Sequence, residues 1–354
     1  MSKSEPRYLT IYNHLKAQIT AGTLTANEQL PTELQLAKTF NVSRITSKRA
    51  LTELESQGLI YRKQGSGSFV QPSVQAAASK QILLVLPFPT DAGLGDYASG
   101  VSAAASKHHY QAVTMDPSSF FQLSTREIQQ NYAGVIYLPQ DLYQEAEQLF
   151  KLKLAQVPIV ILDKTLPELA LPVVSADNFS GGQIATNHLI ELGHQQILFY
   201  AQRNQTVLPS SVYERYFGYL QALHQHQLNP VAALTDLPKL NQYSASDWLT
   251  FLKDQNITAI VVENDLIAIK LMNELRQGDS QIWQQLSIVG FDNIQAASLT
   301  YPTLTTIAQD FKGMGKKAVD LLLDAPTTAE TIRLPVQLIT RDSTRPLQPV
   351  SKED

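Results

Sequence analysis

The sequence predicts an α/β chain in two parts: a small helical head ending in a β-hairpin, and a larger body of doubly wound parallel sheet in two lobes. Three observations predict it. Residues 7–70 show three segments of helical apolar spacing, then two strand-like runs around a glycine-rich turn. From residue 81 onward, short apolar runs alternate with amphipathic segments, the pattern of parallel strands covered on both faces by helices. The charge is also divided. Residues 1–75 carry nine Lys/Arg against five Asp/Glu, whereas the whole chain of 354 residues has a net charge of −4. A basic end on an acidic body suggests two tasks in two domains.

In the head, Tyr8, Ile11, Tyr12, Leu15 and Ile19 recur at helical spacing, and Gly22 stands where a helix would stop. A second helix opens at Pro31–Thr32, with Thr32 as N-cap and Leu34, Leu36, Ala37 and Phe40 as its apolar residues. Asn41-Val42 makes a short turn. Ser43 then caps a third helix, whose Ala50, Leu51 and Leu54 face a core and which ends at Gly58. Leu59–Lys63 and Ser68–Gln71 read as strands around Gln64-Gly65-Ser66-Gly67, where glycine permits positive φ and close backbone approach. Residues 72–80 (PSVQAAASK) are small and polar and read as a linker.

In the body, strands at Ile82–Leu86, Ala112–Met115, Val135–Leu138 and Ile159–Leu162 alternate with helices near Asp96–His108, Thr125–Asn131 and Leu142–Leu152. The pattern resumes with strands at Val173–Ala176, Ile197–Tyr200, Ile260–Val262 and Ile288–Phe291. Its helices there are Ser180–Leu192, Val212–His226, Ser244–Lys253 and Asp265–Arg276. About 270 residues of this pattern exceed one sheet, so two lobes with a cleft between them are expected, with ligands at the carboxyl ends of strands.

Composition narrows the functions. With no cysteine there are no disulfides, zinc ribbons or thiol nucleophiles, which fits a reducing cytoplasm. The start lacks the apolar region of a secretory signal, and no apolar run approaches the roughly 18–20 residues of a membrane span. The seven histidines form no metal pattern: His188 and His194 stand six apart, unlike an i, i+4 ligand pair. No nucleophile-elbow, P-loop or HExxH motif occurs. The expectation is a cytoplasmic protein with no catalytic residues, metal or cofactor.

A helix, short turn and helix can place the second helix in a major groove. Arg44, Thr46 and Lys48 lie toward the N-terminal end of that helix, where side chains reach base edges. Gln64 tips a hairpin slim enough for a minor groove. The segments Gln29-Leu30-Pro31-Thr32-Glu33, Val42-Ser43-Arg44, Ala50–Leu54, Gly58-Leu59-Ile60 and Gly65–Val70 resemble the winged helix-turn-helix domain of GntR-family transcription regulators over residues 7–71. The resemblance implies DNA contacts by Thr32, Glu33, Arg44, Ile45, Thr46, Lys48, Gln64 and Gly65, with Glu33 orienting Arg44. Leu34 stands where several relatives have Arg, so one contact is absent.

The body has a second resemblance. Ala176–Gly182, His188-Leu189, Leu192-Gly193-His194, Arg215 with Gly218, Glu263-Asn264-Asp265, Leu286–Asn293, Tyr301–Thr306 and Arg341-Asp342-Ser343 resemble the sugar-sensing domain of LacI/GalR regulators. This implies a two-lobed, periplasmic-binding-protein-like fold that closes on a ligand. A sugar needs carboxylates, amides and an Arg for its hydroxyls, and an aromatic face for its C–H surface. The matched positions are Asp163, Ser211, Arg215, Asn264, Asp265, Asp292 and Gln309, with Tyr243 as stacking face. Asp265 and Asp292 also suit helix capping.

The expected division is a winged helix-turn-helix domain at 1–71, a linker at 72–80, an effector domain at 81–346 and a tail at 347–354. Lobe 1 takes about 81–175 and 310–335, and lobe 2 about 176–309 and 336–346. The pairing of head and body resembles the arabinose-repressor family of Gram-positive bacteria. It implies a repressor that binds a near-palindromic double-stranded DNA operator as a homodimer, away from membranes, and answers to a small sugar such as L-arabinose. The alternatives are a phosphorylated sugar or another metabolite as effector, or a sugar-binding protein without a regulatory role.

Overall fold

A computed structural model describes residues 6–20, 23–25, 27–71, 81–87, 95–202, 208–324 and 329–347. The expected linker, the Gly22 helix stop, most of the loop after the first body strand and nearly all of the tail lie outside these residues. The chain divides into two compact units, Met1–Ser79 and Lys80–Asp354.

In the first unit α1 (Arg7–Thr20), α2 (Glu33–Thr39) and α3 (Arg44–Ser56) precede the hairpin of β1 (Ile60–Lys63) and β2 (Gly67–Val70). The helix starts follow local chemistry. Thr32 and Gln35 form a reciprocal capping box on α2, and the Ser43 hydroxyl accepts from the Thr46 amide at 3.2 Å on α3. Ile11, Leu15, Ile19, Leu36, Leu51, Leu54 and Val70 make the core, while Leu34 turns outward. The Ser47 hydroxyl donates to the Glu33 carbonyl at 2.7 Å, which fixes the third helix against the start of the second.

The second unit begins with β3 (Gln81–Val85), α4 (Tyr97–Lys107), β4 (Gln111–Met115), α5 (Pro117–Phe120) and α6 (Thr125–Asn131). Next come β5 (Gly134–Tyr137), α7 (Leu142–Leu154), β6 (Ile159–Leu162), β7 (Val173–Ala176), α8 (Asn178–Glu191), β8 (Ile197–Tyr200) and α9 (Ser210–Gln225). They are followed by α10 (Leu237–Leu240), α11 (Ala245–Asp254), β9 (Ala259–Val262), α12 (Asp265–Gly278), β10 (Ser287–Asp292) and β11 (Thr305–Ala308). The unit ends with α13 (Phe311–Asp324), β12 (Thr331–Leu334) and β13 (Gln337–Ile339).

Two sheets result, as the alternation predicts. One is parallel in the order β12-β7-β6-β5-β3-β4, with Ile82 opposite both Ala112 and Gly134. The other runs β13-β11-β10-β9-β8 and is parallel except for β13, which pairs antiparallel with β11. Strands β5 to β9 are buried at every residue, because helices cover both faces. Apolar clusters lie on either face of the first sheet, and a larger one fills the second lobe.

The chain crosses between the lobes three times. It leaves the first sheet after Ala176, returns after Ala308 through α13, and leaves again after Leu334. Helices α8 and α9 cross at two glycines. A Cβ at Gly182 would lie 2.0 Å from the Arg215 carbonyl oxygen, and one at Gly218 would lie 2.1 Å from that of Phe179. Only glycine allows backbones this close.

Candidate functional site

The head presents one exposed face of α3. Ser47, Ala50, Leu51 and Leu54 are buried, which turns Arg44, Ile45 and Lys48 outward, Ile45 at 80% exposure. Arg44 does not swing freely, because its Nε donates to Glu33 Oε2 at 3.0 Å. Glu33 is held from the other side by Arg62, 3.9 Å away, which also pairs with Glu55 at 2.9 Å and bonds the Thr52 hydroxyl at 2.9 Å. The Thr32 and Thr46 hydroxyls both sit in N-cap networks. Arg49 lies over the Tyr8 ring, 4.1 Å from its centroid, and so packs α3 against α1.

At the hairpin tip Gln64 and Gly65 are exposed, with Gly65 at φ 75° and open space around it. The Gln29 amide donates to the Ser66 carbonyl at 2.7 Å and pins the turn. Arg62 and Gln29 are the residues that sequence reasoning missed. Nothing in their spacing marks them, since their partners lie 29 and 37 positions away along the chain for Glu33 and Ser66 respectively.

In the body, Arg215 is the centre. It is buried on α9, and its Nε donates to Asn178 Oδ1 at 2.8 Å while Nη1 donates to the Glu263 carbonyl. Its guanidinium lies 3.7 Å from the centroid of Phe291, a cation–π contact, and Nη2 stands 3.7 Å from Asp292 Oδ1. The Gln309 amide donates to the same Asp292 oxygen at 2.5 Å. Across the lobes, the Ser211 hydroxyl donates to Asp163 Oδ2 at 3.2 Å, and the Thr165 amide donates to Ser210 Oγ at 2.8 Å. Asp163, Ser211, Arg215, Asp292 and Gln309 thus meet at the carboxyl ends of strands and on a crossover, where such folds place ligands. Asp163 Oδ1 and Gln309 Oε1 are buried acceptors without a partner among the described residues.

Burial governs the charges. It raises Asp292 to about 6, with Asp163 adding to the effect and Arg215 and Gln309 opposing it. Burial lifts Glu263 to about 7 against the Gln202 amide and Arg215, which both pull it down. The Tyr97 phenol is raised by burial and by the negative charges of Asp163 and Asp292.

Three expected effector contacts have structural roles, which for Asn264 does not exclude a contact with the effector. Tyr243 lies apart: its ring packs edge-on against Trp248 and Phe251, and the groove it lines contains none of the other candidates. Asn264 caps α12, its Oδ1 accepting from the Ile267 amide at 2.9 Å. Asp265 is fully buried with both oxygens bonded within the protein, so it cannot touch a ligand. Asn178, Glu263, Phe291 and Tyr97 were missed as site residues. Asn178 and Glu263 stand inside the quoted resemblance segments but carry no signal of their orientation. His194 bonds Thr258, Ser287 and the Arg345 carbonyl. Among the described residues no acidic or histidine group is arranged to hold a metal, and no helix is long and apolar enough to cross a membrane.

Both parts of the chain resemble known proteins. Residues 7–70 match the family of bacterial regulatory proteins of the gntR type, and residues 186–344 match the periplasmic binding protein-like domain. An arabinose metabolism transcriptional repressor of Geobacillus stearothermophilus is 29% identical over 91% of both chains. One from Halalkalibacterium halodurans is 26% identical over 90% of this chain and 89% of its own. A LacI family transcriptional regulator of Enterococcus faecium, solved with bound ribose, superposes with a TM-score of 0.60 at 27% identity, over 76% of this chain and all of its own. The chain therefore joins a gntR-type DNA-binding domain to a periplasmic binding protein-like domain, the construction of a ligand-responsive transcription regulator.

Proposed function

We propose that the protein is a transcriptional repressor whose head reads operator DNA and whose body binds an uncharged sugar, L-arabinose foremost. The observation that carries the effector reading is the pair of buried acceptors, Asp163 Oδ1 and Gln309 Oε1, which have no partner among the described residues and lie beside the Arg215–Asp292 pair. Buried polar atoms are nearly always paired, so a donor is wanted at each, and sugar hydroxyls donate. An uncharged sugar suits these residues better than a phosphorylated one. Two carboxylates face the site, and the Arg215 guanidinium is committed to Asn178, Glu263 and Phe291. The relatives named for arabinose metabolism and the neighbour holding ribose, another pentose, support the same choice.

On the DNA side, Arg44, Ile45, Thr46 and Lys48 enter the major groove. Arg44 and Lys48 pair with guanine acceptors, and Ile45 packs on a thymine methyl. Gln64 and Gly65 approach the minor groove, while Thr32 and Glu33 lie at the phosphate edge, with Glu33 orienting Arg44. Two chains place two heads on a near-palindromic site, in the cytoplasm where that DNA resides. The sugar binds the closed body better than the DNA-competent one and so shifts the population off DNA.

The test is a fluorescence-anisotropy titration of the full chain on duplex from upstream of its own coding region, with and without L-arabinose. Binding falls by about 10³-fold or more between 50 and 200 mM salt if several phosphates are neutralised, and millimolar L-arabinose releases the duplex. Failure to bind any duplex at low salt, or release by phosphorylated sugars alone, overturns the reading.

A further inference from the structure

The buried carboxyl of Asp265 has both oxygens bonded within the protein, to the residue that follows the Asp292–Asn293 turn and to Thr306. It opens α12, and a Cβ at Gly290 would come within 2.2 Å of its Oδ1, so no guest can enter beside it. Its Oδ2 accepts from the Ile294 amide at 2.9 Å, and its Oδ1 accepts from the Thr306 hydroxyl at 2.6 Å. The Thr306 oxygen in turn accepts from the Asn293 amide at 3.3 Å. Arg341 completes the frame, with Nη2 donating to Asn293 Oδ1 at 2.7 Å and Nη1 to the Leu304 carbonyl at 2.6 Å.

What this frame encloses is unusual. Asp292 and Asn293 have φ of 114° and 55°, two consecutive non-glycine residues in a region that side chains disfavour. Such a turn persists only where its surroundings over-determine it. Asp292 is also the residue that meets Arg215 and Gln309.

We infer that Asp265, acting through Thr306 and the Ile294 amide, is a positioning residue that holds the Asp292–Asn293 turn and so aims the Asp292 carboxylate into the sugar site. The inference rests on the effector reading above.

The experiment is calorimetric titration of the full chain with L-arabinose for wild type, D265N, D265A, T306V, D292N and D265A/D292N. D265A and T306V weaken binding about tenfold or more. D265N stays within about threefold of wild type, because its amide oxygen still accepts from Ile294 and its NH2 donates to Thr306. D265A adds no further loss on top of D292N, since the carboxylate it aims is gone; a merely structural role would give additive losses. If D265A does not fold, T306V carries the same comparison, alone and with D292N. A wild-type chain that ignores L-arabinose overturns the effector reading and this inference with it. A wild type that binds while D265A and T306V bind equally well, or while their losses add in full to that of D292N, overturns the positioning role alone.

Discussion

The head and the body handle charge in opposite ways. In the head the recognition charges stand in water: Arg44 is 73% exposed and is steadied by a single ion pair to Glu33. Such a pair adds little stability, and its use is to set direction. In the body Arg215 is 6% exposed, with Nε and Nη1 hydrogen-bonded, Phe291 against its face and Asp292 3.7 Å from Nη2. The difference teaches that an interface with a polyanion works through exposed, hydrated cations that a light pairing aims. A pocket for hydroxyls works by completing a hydrogen-bond network already assembled in a dry setting.

Arg215→Ala tests the contrast most severely. Truncating one member of a buried, hydrogen-bonded charge set costs about 2–5 kcal/mol of binding, so the sugar response should vanish in calorimetry while duplex binding by the head is retained. Equal loss of both would mean that the two regions are not separable. Arg44→Ala should cost about 1–3 kcal/mol of operator affinity and relax preference at one base position, read by competition among operator variants; sugar affinity should not change. A uniform loss across sequences would make Arg44 a phosphate contact instead.

The last contrast is in pH. Burial, together with Asp292, raises Asp265 to about 8, against the pull of Thr306, the Ile294 amide and Arg341. The folded state therefore keeps a proton that the unfolded state releases near pH 4. That preference is fully present below the unfolded value and is lost as pH rises through the folded one. The melting temperature of wild type minus that of D265N should accordingly shrink steadily as pH rises from 5 to 8. A constant difference would place the Asp265 charge in a more polar setting. No such pH-linked difference is expected when Arg44 in the head is replaced.

Legibility in the sequence differed between the same two regions. The head was readable because its signals are local: the Thr32 and Ser43 caps, the apolar spacing of α1 and the glycines of the hairpin all act within a few residues. Most of the body's early strands were readable for a related reason, since a strand buried on both faces must be apolar throughout; the edge strand β4 is half-exposed. The reading stopped at Phe291. Beyond it, β11 is rich in threonine whose hydroxyls are satisfied by Asp265, Arg341 and Thr344, and β12 and β13 are half-exposed edge strands. None of these shows an apolar run. In the site, Arg215 and Asp292 were visible as chemistry. Whether Asp265 faces a guest or a strand depends on the first turn of α12, which spacing does not encode. Tyr243 follows a stretch without apolar periodicity, so nothing local set its place.

The crossing of α8 and α9 has a mechanical consequence. Where main chains meet at Gly182 and Gly218 without an intervening cushion of side chains, there is little compliance to absorb a push. The two rods behave as one crank, with the guanidinium mounted on one arm and Asn178 at the root of the other. Displacing Arg215 would therefore displace Asp177, the residue that follows β7 where the chain leaves the first sheet.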